Sequence, residues 1–233
     1  FIGYDEREDI AYRVCEYSLR KHSSVPLDIE PISSTHPLYR RSYHFDGGQR
    51  IDNIDGRPFS TAFAFARFLV PAAMDFDGWA VFMDCDMLVR ADIAELLAFC
   101  DTNYAARCVH HNFVPQSPIK MDGMAQQAYY RKCWSSFVLW NCGHQANRIY
   151  LQPETVNKVP GQALHSFSWL GDNLIGELPE AWNWLGGHSA LFIEPKAIHY
   201  TEGGPWFPLR QNCHYAAEWL AERDEMLAKE AAA

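Results

Sequence analysis

The chain has 233 residues, of which 48% are hydrophobic, 14% aromatic and 21% charged. That balance excludes disordered, collagen-like and low-complexity proteins and leaves room for a large core, in one α/β domain or two small ones. Its 20 Lys+Arg against 29 Asp+Glu give a formal charge of -9, so a surface built to neutralise nucleic-acid phosphates is not expected.

Phe1 to Tyr4 reads as a short strand, and Glu8 to His22 as a helix with Ile10, Val14 and Leu19 at helical spacing. Leu27 to Ile32 alternates like a second strand. Ser33 to Pro58 is rich in Pro, Gly and Asp and is expected to be a long surface connection. Ser60 is a candidate N-cap for a buried helix through Val70, stopped or kinked by Pro71. Trp79 to Val89 reads as one central strand, followed by a helix from Asp92 to Phe99. Ala105 to Val109, Ser136 to Trp140 and Ala190 to Thr201 are further strands. Cys213 to Lys229 is an amphipathic helix with Ala216, Trp219, Leu220 and Leu227 toward one side, expected to pack on the body, with a peripheral membrane contact as the alternative. Strands alternating with helices predict a single α/β domain, Rossmann-like, with a mixed, mostly parallel sheet flanked by helices.

Seven cysteines without regular spacing fit reduced thiols in a cytoplasm, and Cys133, Cys142 and His144 lack the spacing of a zinc site. Arg67 and Pro71 interrupt the longest apolar run, so no bilayer span is expected. The chain opens inside a strand pattern, which suggests missing upstream residues, and Ala231 to Ala233 reads as a vector-derived tail.

The strongest chemical signal is VFMDCDMLV, residues 81 to 89. Two carboxylates at i and i+2 on a strand point to one face, and two buried Asp there require a counter-charge, which a divalent cation supplies. Caps for the following helix are the alternative, but Asp92 already fills that place. Arg67 is the one charge between Ser60 and Met74, so it too needs a partner: an internal carboxylate or a bound diphosphate.

These residues and their order resemble the A-type nucleotide-sugar glycosyltransferases, within them the retaining family-8-like enzymes. The matching blocks are FIGYDERED, FSTAFAFARFLVPA, the DxD strand, SSFVLWNCGH and IHYTEGGPW, spread over most of the chain. The resemblance implies that Asp84, Asp86 and His199 hold Mn2+ (or Mg2+) against the diphosphate of a UDP-sugar. It places Tyr4, Asp5 and Arg7 at the base and ribose, turns Arg67 toward the nucleotide, and sets Asn141 and Asp172 against the donor sugar. The family's late Lys-Pro-Trp is Gly204-Pro205-Trp206 here, so the phosphate would rest on Gly203 and Gly204 amides, or on Lys120 or Arg210. Trp134, Trp169, Trp182, Trp184 and Trp206 offer faces for a sugar, with core packing as the alternative.

The implied activity is hexosyl transfer from a UDP-sugar to a hydroxyl of a glycan or glycolipid, with retention, at the cytoplasmic face of a membrane. Residues 1–110 would form the nucleotide-sugar half, 111–212 the acceptor half and 213–230 a closing helix. Rival readings are a non-catalytic nucleotide-sugar or carbohydrate-binding protein and an aspartyl-nucleophile phosphohydrolase. The hydrolase wants its DxD on the first strand with Thr or Val two residues on, where Leu88 stands here. No GxGxxG follows a strand, which disfavours a dinucleotide enzyme.

Overall fold

The computed structural model describes residues 1–115, 123 and 130–232. Strand β1 (Ile2–Gly3) leads through a 3-10 turn, Glu6–Glu8, into helix α1 (Asp9–His22). α1 buries Ala11, Val14, Cys15, Ser18 and Leu19, three or four residues apart. Asp9 in its first turn and Arg20, Lys21 and His22 in its last offset the helix dipole. β2 is shorter than predicted, Pro31–Ile32.

The expected surface connection from Ser33 to Pro58 instead contains an antiparallel meander: β3 (Tyr43–Asp46), β4 (Gln49–Asp52) and β5 (Pro58–Phe59). Its first turn uses Gly47 and Gly48 at φ 54° and 84°, the positive values a two-residue hairpin turn demands at both centres. The polar composition misled because the meander is anchored by ions: Arg41, Arg50 and Asp52 are all buried.

The predicted helix from Ser60 to Val70 is a turn over residues 62–65, a 3-10 helix Ala66–Leu69 and a single α-turn, α2 (Val70–Ala73). Pro71 starts that turn rather than ending a helix, because its missing N–H is unneeded there. The segment is as buried as expected, Arg67 included. The single strand predicted from Trp79 to Val89 is two, β6 (Trp79–Met83) and β7 (Met87–Val89), in different sheets. Asp84, Cys85 and Asp86 are the joint between them.

Asp92 caps a 3-10 helix, Ile93–Phe99, by accepting the Ala94 N–H at 3.0 Å. β8 (Ala106–Cys108) and β9 (Phe137–Asn141) fall within a residue of expectation. Short helices α3 (Gln145–Tyr150), α4 (Pro153–Val156) and α5 (Gly161–His165) precede β10 (Ile175–Glu177) and β11 (Trp184–Leu185). Of the predicted strand Ala190 to Thr201 only β12 (Ala197–His199) forms.

The main sheet has the order β10-β8-β9-β6-β1-β2, and β9 alone runs against the others. This mixed, mostly parallel sheet makes one α/β domain with helices packed on it. A smaller sheet, β11-β12-β7, continues from the joint. Gly3 is required where β1 passes Phe63: a Cβ would stand 2.5 Å from the ring. The last helix, α6 (Ala216–Ala232), packs on α1 through Trp219 and Met226 against Val14, and Tyr17 donates to Glu225 at 2.8 Å. Leu227, expected on the packed side, is 40% exposed, and Met226 takes its place. Among the described residues no helix is long and apolar enough to cross a membrane.

Candidate active site

β6 ends where Met83 pairs with Phe137, and the Asp84 N–H then donates to the Ser136 carbonyl at 2.9 Å. Two residues on, the Asp86 carbonyl accepts the Tyr200 N–H at 2.9 Å. The joint is thus pinned to both sheets, at the carboxyl edge of β1 and β6, where open α/β sheets bind ligands. Cys85 points into the core, and burial pushes its thiol well up, so it stays protonated. The two carboxylates converge as expected, though across a joint and not along one continuous strand.

His199, the last residue of β12, completes the cluster: one ligand atom each from Asp84, Asp86 and His199 lies within 4.8 Å of the others. His199 Nε2 stands 3.3 Å from Asp86 Oδ1. Two ligands about 2.2 Å from one cation at right angles stand roughly 3.1 Å apart, so this spacing fits adjacent ligands of an octahedral ion. Two hard oxygens with one imidazole suit manganese or magnesium.

Arg67 spends its guanidinium inside the protein. Nη1 lies 2.8 Å from Asp84 Oδ1 and 2.8 Å from the Ser135 carbonyl, and Nε donates to the Ala64 carbonyl at 3.1 Å. The rings of Phe63 and Phe82 flank it at 5.3 and 4.9 Å. The partner is therefore a carboxylate of the Asp-Cys-Asp joint, as the internal reading held, and Arg67 orients that carboxylate.

A cleft opens from the cluster, lined also by Ser60, Thr61, Ser135, His165 and Thr201. Ser135 Oγ and His165 Nδ1 are 2.9 Å apart. Sequence reasoning missed both, although Ser135 stands inside the SSFVLWNCGH block. It also missed Asn183, fully buried against His199. Burial, then the neighbouring His199, lowers the imidazole of His111 to about 3, so that ring is neutral.

Several predicted residues lie elsewhere. Asn141 is at the far end of β9, opposite Trp79, and donates to the Tyr104 carbonyl at 3.1 Å. Because β9 is antiparallel to β6, its first residue and not its last faces the joint. Asp172 has an 85% exposed side chain paired with Arg131, outside the cleft lining. The Gly203 N–H donates to the Tyr200 carbonyl at 2.7 Å, so it is not aimed at a phosphate. Gly204 underlies the Trp206 indole, which a Cβ would meet at 2.0 Å. Arg210 pairs with Glu202 at 3.2 Å. Trp182 and Trp184 are core residues, and Trp134 stacks on His110 at 4.0 Å. Lys120 lies outside the described residues.

Tyr4 and Asp5 do sit at the carboxyl edge of β1. The Tyr4 hydroxyl donates to Asp9 at 3.1 Å and its ring meets Tyr12 edge-on. Asp5 is no open ligand: its carboxylate is fully buried and accepts from Arg7, from the Ala62 N–H at 2.9 Å and from Arg50 at 3.2 Å. Arg7, 30% exposed, also donates to the Ser60 carbonyl. This post ties the edge of β1 to the cleft wall at residues 60–62. Burial pushes the Asp5 carboxyl upward, but the Arg7, Ala62 and Arg50 contacts outweigh it and hold the group below its usual range. A depressed native value adds stability above the unfolded pKa of about 3.9, lost as pH falls through the native value. Asp5→Asn is expected to cost about 3 kcal/mol at pH 7. Urea unfolding from pH 7 down to 3 should show a shallower acid loss in the variant; an equally steep one would show that Asp5 is not a stabilising carboxylate.

This sheet order, with a carboxylate joint at the edge of its parallel strands, is the A-type glycosyltransferase fold, and solved structures share it. The WbbM bifunctional glycosyltransferase superposes with a TM-score of 0.63 at 17% identity, over 95% of this chain and 48% of that one. The galactosyltransferase LgtC, solved with donor and acceptor sugar analogues, gives 0.60 at 14% identity, over 96% and 94%. GlyE of Streptococcus pneumoniae TIGR4 gives 0.60 at 15%, over 98% and 62%. The chain thus spans about half of WbbM and less than two thirds of GlyE. Beyond the fold, the sequence is 46% identical over 230 residues to Protein CDI of Arabidopsis thaliana, covering 97% of this chain and 85% of that protein, and the chain belongs to its family. No family model matches.

Proposed function

We propose that the protein is a metal-dependent glycosyltransferase that moves a hexosyl group from a UDP-sugar to a hydroxyl of a glycan or glycolipid, with retention at the anomeric carbon. The carrying observation is the convergence of Asp84, Asp86 and His199 at the carboxyl edge of this sheet. LgtC, bound to donor and acceptor sugar analogues, shares that fold. A divalent cation held there supplies positive charge to a departing diphosphate.

The chain's own residues do the rest. Arg67 fixes the Asp84 carboxylate, which with Asp86 and His199 would hold the cation. The Asp5 post shapes the wall that receives the nucleotide, which favours residues 1–110 as the nucleotide-sugar half and leaves 111–212 to the acceptor. Ser135 and His165, hydrogen-bonded to each other at 2.9 Å, line the cleft beside the cluster and shape the space for the sugar. The carboxylates among the described cleft residues are Asp55, Asp84 and Asp86. Asp84 and Asp86 would hold the cation, and Asp55 accepts the Arg57 N–H at 3.1 Å. The resemblance implies that the acceptor's proton would pass to the leaving diphosphate on the same face of the sugar, the retaining course.

The test is a panel of UDP- and GDP-sugars with and without Mn2+. A further rise in unfolding temperature beyond that given by Mn2+ alone, with slow release of UDP, is expected only when Mn2+ and the correct UDP-sugar are both present. Stabilisation without UDP release, even with oligosaccharides added, would point to the nucleotide-sugar-binding reading. Transfer undiminished in EDTA would refute the metal site.

A further inference from the structure

The imidazole of His199 has two nitrogens, and only one can face the carboxylates. Its Nδ1 lies 2.9 Å from Asn183 Oδ1. Asn183 is fully buried at the entry to β11, and its amide orientation is fixed by its other neighbours. Asn183 Nδ2 stands 3.3 Å from the Cys133 carbonyl, which can only accept, so that atom must be the amide nitrogen. Nδ2 also donates to Ser136 Oγ at 2.9 Å, whose own proton goes to the Cys133 carbonyl at 2.6 Å. The oxygen of Asn183 therefore faces Nδ1, so Nδ1 carries a proton and Nε2 is the nitrogen turned toward Asp86.

The turn that orders this amide also orders the carboxylates. Ser136 accepts the Asp84 N–H, and the Ser135 carbonyl accepts Arg67, which holds Asp84. Cys133 sits at φ 67°, outside the usual range for a residue with a side chain, and this directs its carbonyl into the network. Residues 133–136 thus bracket ligands from both sheets.

We propose that Asn183 is the positioning residue of the site: it holds His199 in the Nδ1–H tautomer, so that Nε2 is ready as a metal ligand. The affinity part of this inference rests on the metal reading above; the tautomer part does not.

Two measurements on the full chain test it. The first is a long-range 1H–15N spectrum of the metal-free protein labelled at histidine, with His199 assigned from His199→Gln. Nδ1–H is expected in the wild type. In Asn183→Leu the proton should move to Nε2, where Asp86 accepts it. The second is Mn2+ titration by EPR. Asn183→Leu is expected to raise the dissociation constant about 10- to 100-fold, the usual loss for a group that orients a ligand. Asn183→Asp, which can still accept from Nδ1, should recover to within about threefold of wild type, a rescue that a merely structural role would not give. If Asn183→Leu does not fold, Ser136→Ala replaces it, with an expected weakening of about fivefold from one lost hydrogen bond. An unchanged tautomer, or wild-type Mn2+ affinity in a folded variant, overturns the proposal. If the wild type takes up no Mn2+, the metal reading falls, and the tautomer spectrum alone decides the role of Asn183.

Discussion

Replacing Asp86 with asparagine is expected to weaken Mn2+ binding at least about 100-fold, beyond the usual loss for a group outside the ligand set, and to lower turnover about 1000-fold. Asparagine keeps the shape of the side chain and loses only its charge. In metal-free protein that loss is not harmful, because Asp84 and Asp86 are like charges whose ligand atoms lie within 4.8 Å, with Asp86 6% exposed. The unfolding temperature in EDTA should therefore be unchanged or higher, while the rise on adding Mn2+ disappears. Asp84→Asn should behave differently, since it also removes the counter-charge of the buried Arg67, whose other partners are neutral carbonyls. It should lose metal affinity and stability together. If Asp86→Asn retains Mn2+-dependent stabilisation, the cluster is not the metal site.

The legible part of this site is the part where chemistry violates the local pattern. Asp84 and Asp86 interrupt an otherwise apolar run, and Arg67 does the same in a buried segment, so each announces that something must neutralise it. Where the partner lies is a question of register, and one sequence carries little of that. The resemblance sets Asn141 at the donor sugar, whereas the antiparallel direction of β9 puts Asn141 opposite Trp79 and the other end of the strand at the joint. Asn183 gives no local signal, being one polar residue between two tryptophans, and it acquires its role only when β11 pairs beside β12. The meander of β3 to β5 was invisible for a related reason: its anchoring is ionic, so no alternation of apolar residues marks it. The Gly47-Gly48 pair was its one available sign.

That ionic anchor is a buried ion pair. Arg41 and Asp52 pair side by side with both side chains 1% exposed. Arg41 Nε donates to Asp52 at 3.0 Å, Nη1 donates to the Val156 and Val159 carbonyls at 3.1 and 2.7 Å, and the guanidinium lies 4.0 Å from the Phe65 ring centre. The pair therefore fastens the meander to the end of α4, and so braces the Phe59, Phe65 and Gly161 side of the cleft. Arg41→Met fills similar space but leaves Asp52 buried and unpaired, which is expected to cost about 3–5 kcal/mol. At about 2–4 °C per kcal/mol for a chain of this size, the unfolding temperature should fall roughly 6–20 °C. Adding Asp52→Leu removes the stranded charge and should restore most of that loss, because a buried pair replaced as a whole by apolar groups is near neutral. Recovery should stop short of wild type by the value of the two lost carbonyl bonds. A double variant no more stable than Arg41→Met would place the whole loss in those carbonyls, and the ion pair itself would then contribute nothing to the bracing of the cleft.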